Sequence, residues 1–147
     1  NLPKDVFQRF MDLWDLYWAG PGKRDAKEKP NDYLFGPWFS CGKFPPEWSL
    51  ERLGQFMEIV PMPQPSHAVA ERLAEIADID LAKSVQILDR AIRSDSEAWN
   101  LRDWLEPGKI IMEQAMKQTG EIKNKAMELI DFLGRKGYME FGELLKK

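Results

Sequence analysis

The stretch from residue 107 to 137 constrains the fold most strongly, because apolar side chains recur in it with helical spacing. In its second half they stand at i, i+4, i+7, i+8 and i+11, namely Ile122, Ala126, Leu129, Ile130 and Leu133. This spacing predicts one face of an α-helix. A preceding helix is predicted to begin at Pro107, which suits a first helical position, and to end at Thr119-Gly120. Two helices joined by so short a break predict an antiparallel hairpin, the unit of helical-repeat proteins.

Helices are predicted along the rest of the chain as well. They begin near residues 3, 46, 66, 80, 107 and 121, and a short terminal helix covers 138–145. Ser66 and Asp80 are the expected N-cap residues of two of them. No segment has the alternation of a strand, so the predicted class is all-α. The starts at 46, 80 and 121 lie 34 and 41 residues apart, as in α-hairpin repeats. We therefore expect a HEAT-like α-solenoid segment, with an irregular helical bundle as the alternative.

The chain of 147 residues has the length of a single domain with a sizeable core. We divide it into an aromatic-rich helical N-terminal part, residues 1–44, and a part made of helical hairpins, residues 45–147. Because the sequence does not begin with methionine, we expect it to be a processed chain or, in preference, an excised piece of a longer protein.

Tryptophan side chains suggest where the chain could contact a partner. Trp14 and Trp18 lie on two adjacent apolar stripes of the first helix, and we expect them to fill the core or to line a groove for a peptide or neighbouring domain. Trp99 and Trp104 lie with Arg102 on a polar connection, where they are expected to cap the core or to form a binding loop. These five residues are the predicted interaction surface.

The charge balance argues against several classes of partner. The net charge is −3, with 21 basic and 24 acidic side chains intermixed, which is not the basic footprint of a nucleic-acid binder. A nucleic-acid-sensing module remains the alternative function, and its candidate contacts are Lys23, Arg24, Lys27 and Lys29. No apolar run approaches the roughly 20 residues that a membrane-spanning helix needs. Together with the single cysteine, which forms no intrachain disulfide, this predicts a cytoplasmic protein.

Residues with catalytic or metal-binding chemistry are few. His67 is the only histidine, and we expect it at the surface near a helix start. Cys41 is the only cysteine, and we expect it to be buried and inert among aromatic neighbours. The two supply at most half of a zinc site, which needs three or four ligands. Neither a nucleophile elbow nor a glycine-rich phosphate loop is present. We therefore predict no catalytic residue, no metal and no cofactor.

Two carboxylate pairs were considered as general acid–base groups. Asp12 and Asp15 lie one turn apart on the first helix, and Glu71 and Glu75 lie one turn apart on a later one. Such pairs become acid–base machinery only where burial separates their pKa values. Because both pairs lie on polar stripes, they are expected to be solvated. A small enzyme with an unrecognised carboxylate site is therefore the least favoured reading.

Two segments resemble sequences of a known group of proteins. Residues 35–44 read Phe-Gly-Pro-Trp-Phe-Ser-Cys-Gly-Lys-Phe, and residues 134–141 read Gly-Arg-Lys-Gly-Tyr-Met-Glu-Phe. With the helices between them, they are similar to the C-terminal helical region of large, mostly uncharacterised bacterial multidomain proteins, some of which carry nucleotide- or NAD-hydrolysing modules upstream. The resemblance implies a C-terminal, non-catalytic helical-repeat domain of a cytosolic bacterial protein, and it supplies no catalytic residue.

Taken together, these patterns predict a non-catalytic helical-repeat scaffold for interaction or sensing. Its expected partner is another protein or an upstream domain of the same polypeptide, because stacked hairpins present extended surfaces. A homodimer formed through the first helix is a second arrangement compatible with the wide apolar face of that helix.

Overall fold

Every regular element in the described part of the computed structural model is helical. The structure describes residues 4–19, 32–58, 63–94 and 101–146, and no strand occurs in those ranges. The helices are α1 (Lys4–Ala19), α2 (Asp32–Ser40), α3 (Pro46–Met57), α4 (Ser66–Ile76), α5 (Leu81–Ser94), α6 (Leu101–Met116) and α7 (Glu121–Arg135). A 3₁₀ turn covers Ala77–Ile79, and a C-terminal 3₁₀ helix covers Met139–Lys146. The predicted all-α class is confirmed.

Local capping signals explain several of these helix ends. The carboxylate of Asp80 accepts a hydrogen bond from the Lys83 backbone N–H at 3.1 Å, so Asp80 caps α5 as predicted. After α7, Gly137 has a φ of 99°, and the Tyr138 N–H donates to the carbonyl of Leu133 at 2.9 Å. This left-handed glycine and six-to-one hydrogen bond form a Schellman motif. The Gly137-Tyr138 pair therefore ends α7.

One predicted helix cap and one predicted helix start are wrong, although α4 does begin at residue 66 as predicted. Pro65, not Ser66, occupies the N-cap position of α4, and the Ser66 hydroxyl donates instead to Asp103 Oδ2 at 2.6 Å. Pro107 does not begin a helix, because α6 already begins at Leu101 and Pro107 lies buried inside it. The apolar stripe of α6 continues upstream of the proline, and its burial outweighs the loss of one backbone hydrogen bond.

Alternate helices pack beside one another in two rows. The odd row consists of α1, α3, α5 and α7: α3 contacts α5 and α5 contacts α7. Helix α1 joins this row through Asp15, which accepts hydrogen bonds from Arg52 and Trp48 of α3. The even row consists of α2, α4, α6 and the C-terminal 3₁₀ helix, each in contact with the next. Contacts of α6 with α5 and α7 join the rows.

In each row, the contacts of one pair of neighbouring helices show that the two run in the same direction. In the odd row, Lys125 of α7 reaches Asp89 of α5, and farther along both helices Arg93 lies over the ring of Phe132. In the even row, Gly36 lies against Gln64, just before α4, whereas the later Gly42 lies against Arg72, farther along α4. In each case the residue numbers rise in the same direction along both helices, so the two helices are parallel.

The core lies between the rows, and α6 is at its centre. This helix contacts α4, α5, α7 and the C-terminal 3₁₀ helix. A Cβ atom at Gly108 would lie 3.2 Å from a methyl carbon of Leu88, so α5 and α6 approach closely at this glycine. The bulkiest fully buried side chains are Trp104, Phe56 and Phe141.

Aromatic side chains attach α1 to the rest of the fold. The ring of Trp14 lies 5.3 Å from that of Trp38 and 6.4 Å from that of Phe56. The Phe7 ring meets Phe44 edge-on at 5.4 Å. For Trp14 the expectation of a core role is confirmed, because its side chain is buried. Edge-on and tilted aromatic pairs add to the free energy gained from burial.

Candidate interaction surface

The outward face of the odd row carries two grooves, one on each side of α5. The α3/α5 groove is lined by Glu51, Gly54, Gln55, Met57, Glu58, Lys83, Gln86, Ile87 and Arg90. The α5/α7 groove is lined by Ala82, Val85, Gln86, Glu121, Ile122, Asn124, Lys125 and Glu128. Because Gln86 lines both, α5 is the ridge between them. This face, from α3 to α7, is the candidate interaction surface.

The α3/α5 groove is narrow and carries charges of both signs. Its volume is about 160 Å³. Glu51 and Glu58 stand on the α3 side, and Lys83 and Arg90 stand on the α5 side. Gly54 opens the groove in the middle of α3, because a Cβ atom there would meet nothing within 4 Å. The size suits a single side chain of a partner.

The α5/α7 groove is larger and has an apolar floor. Its volume is about 550 Å³, within the range of roughly 300–1,000 Å³ that is usual for ligand sites. Ala82, Val85 and Ile122 supply apolar surface, and Val85 is fully buried beneath it. Glu121 and Glu128 stand on the α7 side, two helical turns apart. The groove therefore combines apolar area with carboxylates on one rim.

An ionic and aromatic cluster holds α5 and α7 together beyond this groove. Asp89 accepts from Arg93 Nε at 2.6 Å and lies 3.4 Å from Lys125 Nζ. The Arg93 guanidinium carbon lies 4.6 Å from the centre of the Phe132 ring, a cation–π distance. These contacts join the C-terminal half of α5 to α7, whereas the groove opens beside the N-terminal half of α5. They also use the charge of Lys125, the one cation that lines the groove.

A second charged junction fixes α1 on α3. Asp15 accepts hydrogen bonds from Arg52 Nε at 2.5 Å and from Trp48 Nε1 at 3.1 Å. The hydrogen bond to Asp15 raises the pKa of Arg52 above its ordinary value, against a smaller opposing effect of burial. Asp15 is therefore paired, and its side chain is still 38% exposed, so the expectation of a solvated carboxylate is met only in part. In the other pair, Glu71 contacts His67 and Glu75 contacts Arg72, and both carboxylates are exposed as predicted.

No protein-family model, curated protein or solved structure matches the chain. The resemblance of residues 35–44 and 134–141 to a bacterial helical region therefore stays a prediction. In the described parts of the chain, none of the helices has both the length and the apolar character needed to cross a bilayer.

The residues of the predicted tryptophan surface do not form one surface in the described structure. Trp14 and Trp104 are buried in the core, so neither side chain forms part of the surface. Arg102, in the first turn of α6, is the exposed one among the three whose side chains the structure describes. Trp99 lies outside the described residues, and although Trp18 belongs to α1, its side chain lies outside the description as well. Trp104 has a core role and not a binding-loop role, because it lies in the first turn of α6 and is fully buried.

The candidate catalytic and metal-binding residues that the structure describes do not form a common site. Cys41 is exposed, and its thiol donates to the carbonyl of Trp38 at 3.0 Å, so the expectation of burial is wrong. His67 is exposed, as predicted, and its imidazole lies 3.3 Å from Glu71. Within the described ranges, no three His, Cys, Asp or Glu side chains are arranged to hold a metal ion. The basic residues between 23 and 29 lie outside the described residues.

Sequence patterns pointed to the polar faces of α5 and α7 but not to the grooves between them. Periodicity assigns Gln86, Glu121 and Glu128 to outward faces, but it does not indicate which helices lie beside one another. Which outward faces adjoin depends on the pairing of α5 with α7, a contact between residues nearly 40 positions apart. The small side chain of Ala82, between polar neighbours on such a face, was the one available signal of a gap.

Proposed function

We propose that the chain is a non-catalytic helical-repeat scaffold whose odd-row face binds another protein or another domain of the same polypeptide. The parallel two-row packing is the observation that supports this proposal. In stacked helical hairpins, equivalent helices of successive hairpins pack side by side and each hairpin contacts its neighbours. The rows α1–α3–α5–α7 and α2–α4–α6–3₁₀ fit such a stack, and α5 packs on α6, and α7 on the C-terminal 3₁₀ helix, as the two arms of a hairpin do.

The same packing favours a HEAT-like solenoid segment over an irregular bundle. In an up-and-down bundle, adjacent helices along the chain supply most neighbours and run antiparallel. Here α5 has the second-next helices α3 and α7 as neighbours, and α7 runs parallel to it. Helix α6 is central, but its neighbours are those expected in a two-row stack. It contacts α5 and α7 of the other row, and α4 and the C-terminal 3₁₀ helix of its own row.

The odd-row face is the proposed binding surface, because concavities on an extended surface are where partners dock. The grooves beside α5 supply apolar area, amide groups that can pair with a peptide backbone, and charges of both signs. Gln86 occupies the ridge that a partner lying across both grooves must touch.

A selection experiment tests the proposal. A random peptide library displayed on phage is selected against the wild-type chain, and the recovered peptides are titrated against Gln86→Trp and Glu106→Trp. Glu106 is exposed on α6, in the even row, and serves as the matched control. We expect Gln86→Trp to weaken binding at least tenfold and Glu106→Trp to leave it unchanged. Equal effects of the two variants, or no recovered binder, would contradict the proposal.

The resemblance adds a proposal about context. Residues 35–44 and 134–141 suggest a C-terminal position in a larger cytosolic bacterial protein, in which the upstream module would supply the catalytic activity. The complete gene tests this directly: a nucleotide-binding or effector domain immediately upstream supports it, and an unrelated arrangement contradicts it.

A further inference from the structure

We propose that the α5/α7 groove binds a peptide segment that carries arginine beside apolar side chains. The inference rests on the proposed function, since it names the chemistry of a partner for one part of the odd-row face. It is drawn from the shape of the groove, its apolar floor and the charges on its rim.

The floor of the groove sets the apolar part of the ligand. Ala82 and Ile122 leave apolar surface open between α5 and α7, above the fully buried Val85. Apolar area of this kind favours burial of aliphatic carbon at about 25 cal/mol per Å². A leucine side chain, or the aliphatic stem of an arginine, fits a volume of about 550 Å³ with room for neighbouring residues.

The rim sets the charge of the ligand. Glu121 and Glu128 line the groove, and neither forms an ion pair with any residue that the structure describes. The only cation in the lining, Lys125, is already 3.4 Å from Asp89. The groove therefore offers two carboxylates for a cationic partner.

Arginine suits this rim better than lysine. Its planar guanidinium can pair with a carboxylate through two parallel N–H···O bonds, and it loses less hydration than an ammonium when it lies over apolar surface. The two carboxylates are seven residues apart on α7, a separation of about 10 Å along the helix. A short segment with two arginines can reach both.

The other groove provides a matched control on the same face. The α3/α5 groove also carries two carboxylates seven residues apart, Glu51 and Glu58, but Lys83 and Arg90 stand across from them. Its charges are therefore balanced, and its volume of about 160 Å³ is much smaller. A cationic peptide should prefer the α5/α7 groove, and identical substitutions in the two grooves can separate local binding from general attraction to acidic groups.

Binding of defined peptides tests the inference. The probe is a dye-labelled octapeptide that alternates leucine and arginine, and its affinity is measured by fluorescence anisotropy. Octapeptides that alternate leucine with glutamate, or serine with arginine, serve as comparisons. We expect the leucine–arginine peptide to bind most tightly, the serine–arginine peptide more weakly, and the leucine–glutamate peptide not at all. Absence of binding by the leucine–arginine peptide up to about millimolar concentration would overturn the inference.

Paired variants locate the site. We expect Glu121→Gln with Glu128→Gln to weaken binding about fivefold, as two exposed ion pairs imply, and Ala82→Leu to weaken it more than tenfold by filling the groove. The matched changes Glu51→Gln with Glu58→Gln, and Gly54→Leu, should leave binding within about twofold. All four alter exposed or open positions, and their unfolding midpoints report that the fold is intact. Equal losses in both grooves would overturn the inference.

The outcome also separates this inference from the proposed function. If the phage-selected peptides require Gln86 but are not cationic, the scaffold proposal stands and the assignment of an arginine-bearing ligand fails. If neither the selected peptides nor the leucine–arginine probe binds the odd-row face, both fail.

Discussion

Two glycines within helices make opposite demands on the structure. A Cβ atom at Gly36 would lie 1.8 Å from the backbone carbonyl oxygen of Gln64, so α2 can pass this segment only with glycine at that point. At Gly54, in the middle of α3, a Cβ atom would meet nothing within 4 Å. The same residue type is thus required by packing in one helix and not in the other.

We therefore predict opposite effects of the same substitution. Gly36→Ala should lower the free energy of unfolding by about 3 kcal/mol or more, because backbone must move to admit the methyl group. Gly54→Ala should raise it by about 0.5–1 kcal/mol, since alanine is the better helix former. Urea unfolding monitored by circular dichroism measures both. Destabilisation by Gly54→Ala would show that the groove beside it is not open.

Adjacent faces of α1 also differ in what they contribute. Trp14 is 5% exposed and contacts Trp38 and Phe56, whereas Leu16, two residues later, is 70% exposed. Trp14→Ala should cost about 3–5 kcal/mol of stability, and Leu16→Ala should cost less than about 0.5 kcal/mol. Thermal unfolding of the two variants checks this contrast. Comparable losses would mean that the exposed side of α1, which includes Leu13, is covered in solution.

At the scale of elements, α1 depends on one charged junction as well as on aromatic packing. Asp15 joins α1 to Arg52 and Trp48 of α3. Asp15→Ala removes the acceptor of both hydrogen bonds and leaves Arg52 with only its own-helix polar contacts to Glu51 and Gln55 among the described residues. We expect a loss of about 1–3 kcal/mol and faster amide exchange confined mainly to α1. The control is Asp12→Ala, on the same helix, whose carboxylate accepts a hydrogen bond from Gln8 and from no other residue in the described ranges. This variant should change exchange little.

The pH dependence of this junction follows from the raised pKa of Arg52. A cationic group whose pKa is higher in the folded state stabilises the fold at every pH below its ordinary value and ceases to do so only as the pH rises through the raised one. Since arginine is already strongly basic, the contribution of Arg52 should be constant from neutral to moderately alkaline pH. The stability difference between wild type and Arg52→Met, measured between pH 7 and 10, should therefore be flat, and a steep decline would contradict this assignment.

Across the whole molecule, the row arrangement predicts a gradient of protection. Helix α6 contacts four elements. The described contacts of α1 side chains reach fewer, namely α2, α3 and the turn between them. Native-state hydrogen exchange should find the slowest amides in α6 and the adjoining face of α5, with exchange increasing toward α1. Local opening follows buried contact density, and nearest-neighbour stacks open from their ends. Uniform protection in every helix would instead indicate one fully cooperative bundle.

The sequence by itself determined the helices and their buried faces. Spacing of apolar residues placed Ala126, Leu129, Ile130 and Leu133 on the inner face of α7, and all four are buried. Asp80 was recognisable as a cap because its side chain acts on a backbone group three residues away. Both features depend on residues within about one helical turn of each other, so they can be predicted from a single sequence. Pro107 and Ser66 misled because tertiary structure overruled a local preference: Pro107 is buried inside α6, and the Ser66 hydroxyl donates to Asp103.

Only the tertiary structure decided which helices adjoin, and with that the candidate surface. The position of α5 between α3 and α7 rests on contacts between residues more than 30 positions apart, such as Asp89 with Lys125. Nothing in the helical period specifies these pairings, because any apolar face can pack on any other. The grooves beside α5, the burial of Trp104 and the junction at Asp15 all follow from that arrangement. The sequence specifies the faces, and the packing free energy of the whole chain selects how they meet.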